Sequence, residues 1–580
     1  MIIQPERTMK FGASRLGLLG FVLGALVFAA TGLFAATGCA RTQPSSDAAQ
    51  EASAQESPAQ NASAQEQQRP NIVVILADDL GFSDLGSYGS EIPTPHLDRL
   101  ARQGMRFSNF YVTPRCAPTR ASLLTGLYNH RAGMGHMPGG WELPRRVQRT
   151  FGSPHYQKHL RDRAATLAEV LKERAGYRTG IFGKWHLSTT RAHWPTRHGF
   201  DRFYGVPSGG GFYFWPPPSP VAERKVVAGN AVTAPAATDW RAETGWHSTE
   251  AFAARAARFV EDAAGDEQPF FLYLASIAPH YALQAFPSAI AEHEGDYRTG
   301  WDQLRRRRYE RLTESGLLDS ARAPLPERDA YVPAWDSVDN KERWDRKMAI
   351  YAAQVQSLDR RVGQVLDALD RRGERENTLV LFLSDNGACA EDMNRSASGA
   401  TLGGPRSFVS YDRPWAHLSS TPFRGFKQDT YEGGIASPLI ARWPGRIPEG
   451  ASSDQVGHVI DLMPTLLDAA GATYPDSLGR RDLLSLDGRS LLPALEGEGT
   501  DALPERTLFW EHEGNRAVRR GRWKAVSVHG YGWALFDMKN DRTETTDLSE
   551  KRPRKVEQLA RRYRQWADEV GVGDWSRIAE

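Results

Sequence analysis

The sequence predicts an α/β fold: a large, mainly parallel or mixed central sheet flanked by helices, with a smaller C-terminal antiparallel α+β domain. Three observations predict it. Four apolar runs, 71–77, 177–183, 270–277 and 378–383, lack polar alternation and read as strands buried on both faces. Helical segments separate them, as crossovers between parallel strands require. After about residue 500 the chain changes to short strands between Gly-rich and charged turns.

The chain of 580 residues has room for one large domain and a smaller one. Arg7, Lys10 and Arg15 precede an apolar run from Leu16 to Ala36, the layout of an export signal. Ala36-Thr37-Gly38-Cys39 resembles a bacterial lipoprotein box with Cys39 as the lipidated residue, although Ala36 stands where the box usually has Leu. The run is long enough that an uncleaved membrane anchor is the alternative. Residues 40–69, rich in Ala, Ser, Gln and Glu, bury too little to offset their ordering entropy and read as a disordered linker. The expected organisation is therefore signal 1–39, linker 40–69, catalytic domain 70–495 and small α+β domain 496–580, in an exported, periplasmic or outer-membrane-associated lipoprotein that meets the membrane only through its N-terminus.

Along the folded part, the strand 71–77 ends in Asp78-Asp79. Residues 94–103 read as a helix and 105–112 as a strand. A helix over 166–174 leads to the strand 177–183, which ends in Lys184-Trp185-His186. A helix over 249–264 leads to the strand 270–277, which runs into Ala278-Pro279-His280. A long helix over 345–371 leads to the strand 378–383, which ends in Ser384-Asp385-Asn386-Gly387. Segments 507–511, 517–526 and 533–538 read as short strands, and 556–569 as an amphipathic helix.

Ligands of open α/β sheets bind beyond the carboxyl ends of the strands. Asp78, Asp79, Lys184, His186, His280, Asp385 and Asn386 should then converge on one rim. Taken singly, each has an ordinary reading as a turn residue, a cap or a satisfied histidine. Asp78, Asp79, Asp385 and Asn386 offer only oxygen donors, which select Ca²⁺, or Mg²⁺, over softer metals. A net charge of +2 gives no electrostatic footprint for nucleic acid. Three cysteines cannot build a disulfide framework.

Cys116-Ala117-Pro118-Thr119-Arg120, with Thr125-Gly126 after it, is the most specific stretch. Pro118 fits a first helical turn, which places Cys116 at a helix N-terminus where anions are favoured, with Arg120 as a cation one turn on. This pattern resembles the signature of the formylglycine-dependent (type I) sulfatases, in the arylsulfatase branch of the alkaline phosphatase superfamily. Gly183-Lys184-Trp185-His186-Leu187, Ala278-Pro279-His280, Lys427 before Glu432-Gly433-Gly434-Ile435, and the segment 458–465 extend the resemblance in order along nearly all of the chain from Asn71.

The resemblance implies an alkaline-phosphatase-like fold and hydrolysis of sulfate monoesters, on an aryl sulfate or a sulfated carbohydrate. It implies that a formylglycine-generating enzyme oxidises Cys116 to 3-oxoalanine, whose hydrate coordinates the cation beside Asp78, Asp79, Asp385 and Asn386 and attacks sulfur. It implies Asp385 as base, Arg120 and His186 as holders of the formylglycine oxygens, Lys184 and Lys427 as sulfate-binding cations, and His280 as the acid for the leaving oxygen. Two alternatives are a phosphonate or phosphate ester hydrolase of the same superfamily and a non-catalytic binding protein that keeps the fold. Asn386 speaks against the first, because zinc or manganese phosphoesterases place a His there. Filled catalytic positions speak against the second. Two features stay open: the Gly, aromatic and Pro cluster 209–219, read as an entrance lining or a packed loop, and Arg305–Arg308, read as a solvated helix face or an anionic polysaccharide contact. Cys389 reads as a small buried residue near the site.

Overall fold

The computed structural model describes residues 69–578, apart from 139–146, 148, 150, 152, 264–267 and 499–502. The expected signal, Cys39 and the linker up to residue 68 lie outside the described residues.

The centre is a ten-stranded sheet. Its strands are β1 (Asn71–Asp78), β2 (Met105–Phe107), β3 (Arg178–Lys184), β4 (Arg202–Val206), β5 (Val226–Ala228), β6 (Ala231–Thr233), β7 (Phe270–Pro279), β8 (Thr378–Ser384), β9 (Leu439–Arg442) and β10 (Ala451–Ser453). They lie in the order β10-β2-β9-β8-β1-β7-β3-β4-β5-β6. The five strands β8-β1-β7-β3-β4 are parallel throughout. Antiparallel pairs flank them, β9 on β8 at one side and β5 on β4 at the other, so the sheet is mixed.

The principal helices are α1 (Pro95–Arg102), α2 (Cys116–Thr125), α3 (Leu167–Ala175), α4 (Ser248–Ala263), α5 (Gly300–Glu314), α6 (Lys341–Arg372), α7 (Leu462–Ala469) and α8 (Pro553–Val570). Strand β1 is apolar at successive positions because both of its faces are covered. Val73 and Ile75 join the core that α4 and α6 build with Val260, Val355 and Leu358. Ile72, Val74 and Leu76 join the opposite core with Leu123 of α2, Val170 of α3 and Leu466 of α7. Each such side chain contributes about 1.5–3 kcal/mol on burial.

Register then aligns the rim. Ala77 lies opposite Ser384, and Asp78 opposite Pro279. The residues that follow β1, β7 and β8 therefore emerge side by side.

Near the C-terminus, β11 (Thr507–His512), β12 (Asn515–Arg520), β13 (Trp523–Ser527) and β14 (Ala534–Asp537) form an antiparallel sheet in sequence order, against which α8 packs. The single strand expected over 517–526 is two strands. Arg520 pairs with Trp523 across a two-residue turn at Gly521-Arg522, where Gly521 takes a positive φ. The strand expected over 105–112 is likewise interrupted, between β2 and a separate pair at Phe110–Tyr111.

The four-arginine run on α5 is not a solvated face. Arg308 is fully buried and pairs with Asp84 and Glu91, and Arg305 is buried with Nη1 on Pro326 O. Arg306 and Arg307 are the exposed members, because consecutive helical residues point about 100° apart.

Candidate active site

Cys116 is the first residue of α2 and is 2 % exposed. Its Sγ lies 3.4 Å from Nδ1 of His186, just beyond the end of β3. Gly183, one residue before Lys184, lets β3 lie close against β7. Its φ of 123° and the 1.8 Å between a built Cβ and Ala275 O exclude any side chain there.

Three buried carboxylates face three buried cations. Asp78 Oδ2 accepts from Lys184 Nζ at 2.6 Å. Asp79 accepts from Lys427 Nζ at 2.6 and 2.8 Å and from Asn386 Nδ2 at 2.7 Å. Nε2 of His280 is 3.5 Å from Asp79 Oδ2. Asp385 Oδ2 accepts from Arg120 Nε at 3.0 Å and Nη2 at 2.7 Å, while Arg120 Nη1 donates to Lys184 O at 2.8 Å. The hydrogen bonds of Arg120 thus run to Asp385 and the backbone, and His186 is the side chain set against Sγ. All ten residues expected at the site meet here. Lys427, which follows no strand, arrives on a loop anchored by its own N–H on Ala388 O.

Burial is the largest single influence on Asp78, Asp79, Asp385, His186, His280 and Lys427, although it does not always prevail. For Asp78 and Asp79 burial favours the neutral acid, but the cations outweigh it, so Asp78 stays well below the usual carboxylate range and Asp79 below it. For Asp385 burial and the charge of Asp78 outweigh Arg120, and its pKa rises to about 7. Burial, with Lys184 and Arg120 beside it, holds His186 well below its ordinary value. Burial also lowers His280 to about 4, even against the attraction of Asp79. Lys427 is held well above its usual value because Asp79 more than offsets burial.

Asp78 Oδ1 and Asn386 Oδ1 are buried without a hydrogen-bond partner among the described residues. Buried oxygens are rarely left so, and three carboxylates with the Asn386 amide oxygen fit a hard divalent cation. Donor atoms of Asp78, Cys116 and Asp385 lie within 4.8 Å of one another, so position 116 is within reach of the same centre.

A cavity of about 520 Å³ opens above this cluster and reaches Cys116, Lys184, His186, His280 and Lys427. Its wall holds residues that sequence reasoning missed. Glu391 accepts from Arg115 Nη1 at 3.1 Å, Tyr281 Oη at 2.7 Å and Gln428 Nε2 at 2.9 Å. Arg224 also lines it. Arg115 could have been suspected as the neighbour of Cys116; Glu391 and Arg224 lie in loops with no local signal. Cys389 is buried, and its thiol feels both Lys427 and Asp79, in line with a place near the site.

The sulfatase family model matches residues 70–472. The chain belongs to the sulfatase family. A second model, the C-terminal region of N-sulphoglucosamine sulphohydrolase, matches 426–568 of this sulfatase. It is 34% identical over 539 residues to an uncharacterized sulfatase of Schizosaccharomyces pombe, covering 87% of this chain and 95% of that one. It is 33% identical over 440 residues to an arylsulfatase of Klebsiella aerogenes, covering 73% and 92%. Among solved structures it resembles Ps i-CgsB in complex with a neocarrahexaose, with a TM-score of 0.62, 27% identity and coverage of 86% and 93%. The protein is a sulfuric ester hydrolase.

Proposed function

We propose that this sulfatase cleaves aryl sulfates or sulfated carbohydrates through a formylglycine made from Cys116, with Ca²⁺ or Mg²⁺ at the carboxylate cluster. The observation that carries the reading is Cys116 on the first turn of α2, with Sγ 3.4 Å from His186 and in reach of Asp78 and Asp385. Asp78, Asp79, Asp385 and Asn386 would hold the cation, which supplies a hard positive centre that polarises sulfate. A hydrated aldehyde at position 116 supplies two hydroxyls, one to attack sulfur and one to release sulfate afterwards, a route closed to plain Ser or Cys.

The chain's own groups do the rest. His186 Nδ1 orients the side chain at 116. The carboxylate of Asp385 takes a proton from the attacking hydroxyl, and Arg120 holds that carboxylate in place. Lys184 and Lys427 neutralise sulfate oxygens from the cavity floor. His280 Nε2, once the anionic substrate in the cavity has raised its affinity for a proton, gives that proton to the departing oxygen. Resemblance to a protein solved with a neocarrahexaose supports a carbohydrate as the alcohol. The N-terminal segment supports export with lipidation at Cys39, which metabolic palmitate labelling of wild type against Cys39→Ala tests.

The deciding experiment compares rates on an aryl sulfate and the matching aryl phosphate, with Ca²⁺, on protein co-produced with a formylglycine-generating enzyme. We expect a strong preference for sulfate that Cys116→Ala abolishes. A preference for phosphate would transfer the chain to the phosphoesterase side of the superfamily. Activity that survives Cys116→Ala would remove the nucleophile from the proposal.

A further inference from the structure

The Gly209–Gly211 run and Arg224 form one feature. Arg224 follows a turn in which its N–H donates to Val221 O, and it stands between the buried anchors Val221 and Val226. Its side chain reaches back over the glycines. A Cβ at Gly209 would lie 3.1 Å from His186 Nε2 and 3.5 Å from Arg224 Nη2, and one at Gly211, where φ is +99°, would lie 3.0 Å from Arg224 Nη1. The glycines thus leave the space that the His186 ring and the Arg224 head occupy, side by side. This gives the glycines of the cluster at 209–219 a role in the entrance.

The other cations of this wall are engaged. Lys184 and Lys427 are on Asp78 and Asp79, and Arg115 is on Glu391. The guanidinium of Arg224 has no hydrogen bond or ion pair among the described residues; burial lowers its pKa, and Glu223 is the opposing charge that acts on it most. A guanidinium held in a partly buried cleft without a partner is suited to an anion that arrives with the ligand. Its position says where that anion sits. The 520 Å³ cavity over Cys116 adjoins a second of about 320 Å³, and the two share His186, Gly209, Glu223 and Arg224. Lys225 lines the second cavity as well.

We infer that Arg224 is a specificity-determining residue that binds a second anionic group, a sulfate or a carboxylate, carried by the substrate beside the ester that is cleaved. The substrate class is then a polyanion, cleaved at the sulfate that enters over Cys116 while its neighbour anion lies on Arg224. The inference rests on the proposed reading of the Cys116 site.

Calorimetry on the full chain with Ca²⁺ present tests it, using naphthalene monosulfonate and a set of naphthalene disulfonates of different spacing as non-hydrolysable probes. Wild type should bind the best-spaced disulfonate roughly tenfold or more tightly than the monosulfonate, the effect of one charge-assisted contact. Arg224→Ala should bring that ratio close to one, and Arg224→Lys should restore part of it. Circular dichroism confirms that both variants are folded. A wild-type ratio near one at every spacing, or a ratio that survives Arg224→Ala, overturns the inference. Hydrolysis of 4-nitrophenyl sulfate by the same wild-type preparation separately tests the reading of the Cys116 site, so the two can fail independently.

Discussion

Arg120 is fully buried, yet its role is less to face the substrate than to hold Asp385, through two hydrogen bonds onto one carboxylate oxygen. Such a pair is costly to break on one side, because the partner is left as an uncompensated buried charge. Arg120→Ala should therefore lower stability by about 3–5 kcal/mol, read from urea midpoints, and abolish turnover of an aryl sulfate. If the variant were inactive but as stable as wild type, Arg120 would act on the substrate and not on Asp385. The residue types at this site could be read locally, but the partner of each could not. A Cys-x-Pro-x-Arg run does not say which carboxylate its Arg meets 265 positions away.

Elements show a similar division. The helix α1 carries Pro95 in its first turn, as its sequence suggests. What satisfies its first N–H groups is remote: Asp359 of α6 accepts from His96 N at 3.2 Å and Leu97 N at 2.8 Å. Burial there outweighs these hydrogen bonds and lifts the Asp359 pKa to about 7. A carboxyl whose pKa is raised on folding binds its proton more tightly in the folded state. Its contribution to stability is complete below the unfolded value near 4 and is lost as pH rises through about 7. Wild type should thus lose urea stability between pH 5 and 8 relative to Asp359→Asn, which cannot titrate there. Parallel slopes for the two proteins would show that Asp359 stays ionised in the fold. At the same scale, the hairpin β12–β13 was hidden inside an apparently continuous strand. Two-residue turns leave only Gly521 as a signal, and glycines are common in this chain.

At the scale of the whole molecule, the C-terminal sheet is joined to the body by buried charge. Glu432, before β9, accepts from Lys524 Nζ of β13 at 2.8 Å, Arg542 Nε at 2.8 Å and Tyr111 Oη at 2.8 Å. Trp510 Nε1 donates to Val112 O at 2.9 Å beside them. Lys524 Nζ also lies 2.8 Å from Glu544 Oε1, so Lys524→Met removes the cation that two buried carboxyl groups share and should cost about 3–5 kcal/mol in a single cooperative transition. A separate early transition would mean that the C-terminal sheet unfolds alone. The carboxylate cluster gives a second expectation for the whole protein. A cation that binds only the folded state stabilises by about 2.7 kcal/mol at a hundredfold excess over its Kd. Ca²⁺ should raise the Tm over that in a chelator, and Asp78→Ala should remove most of the rise. An equal rise in the variant would place the cation elsewhere.

The sequence alone determined the four buried parallel strands, the helices between them and the chemistry at their ends. Burial on both faces demands apolar runs, and helix N-termini demand particular residues. The family and the convergence of the ten candidate residues were therefore legible, and nine of the ten are next to an element boundary or in a signature. Only the tertiary structure decided which charge meets which. It paired Lys184 with Asp78, Lys427 with Asp79 and Arg120 with Asp385. It buried Arg305 and Arg308 in a run that looks solvated, and it left the Arg224 guanidinium without a hydrogen bond or ion pair among the described residues. The physical reason is range. Periodicity and capping act over one or two turns of chain, whereas a buried ion pair is fixed by the packing of elements hundreds of residues apart.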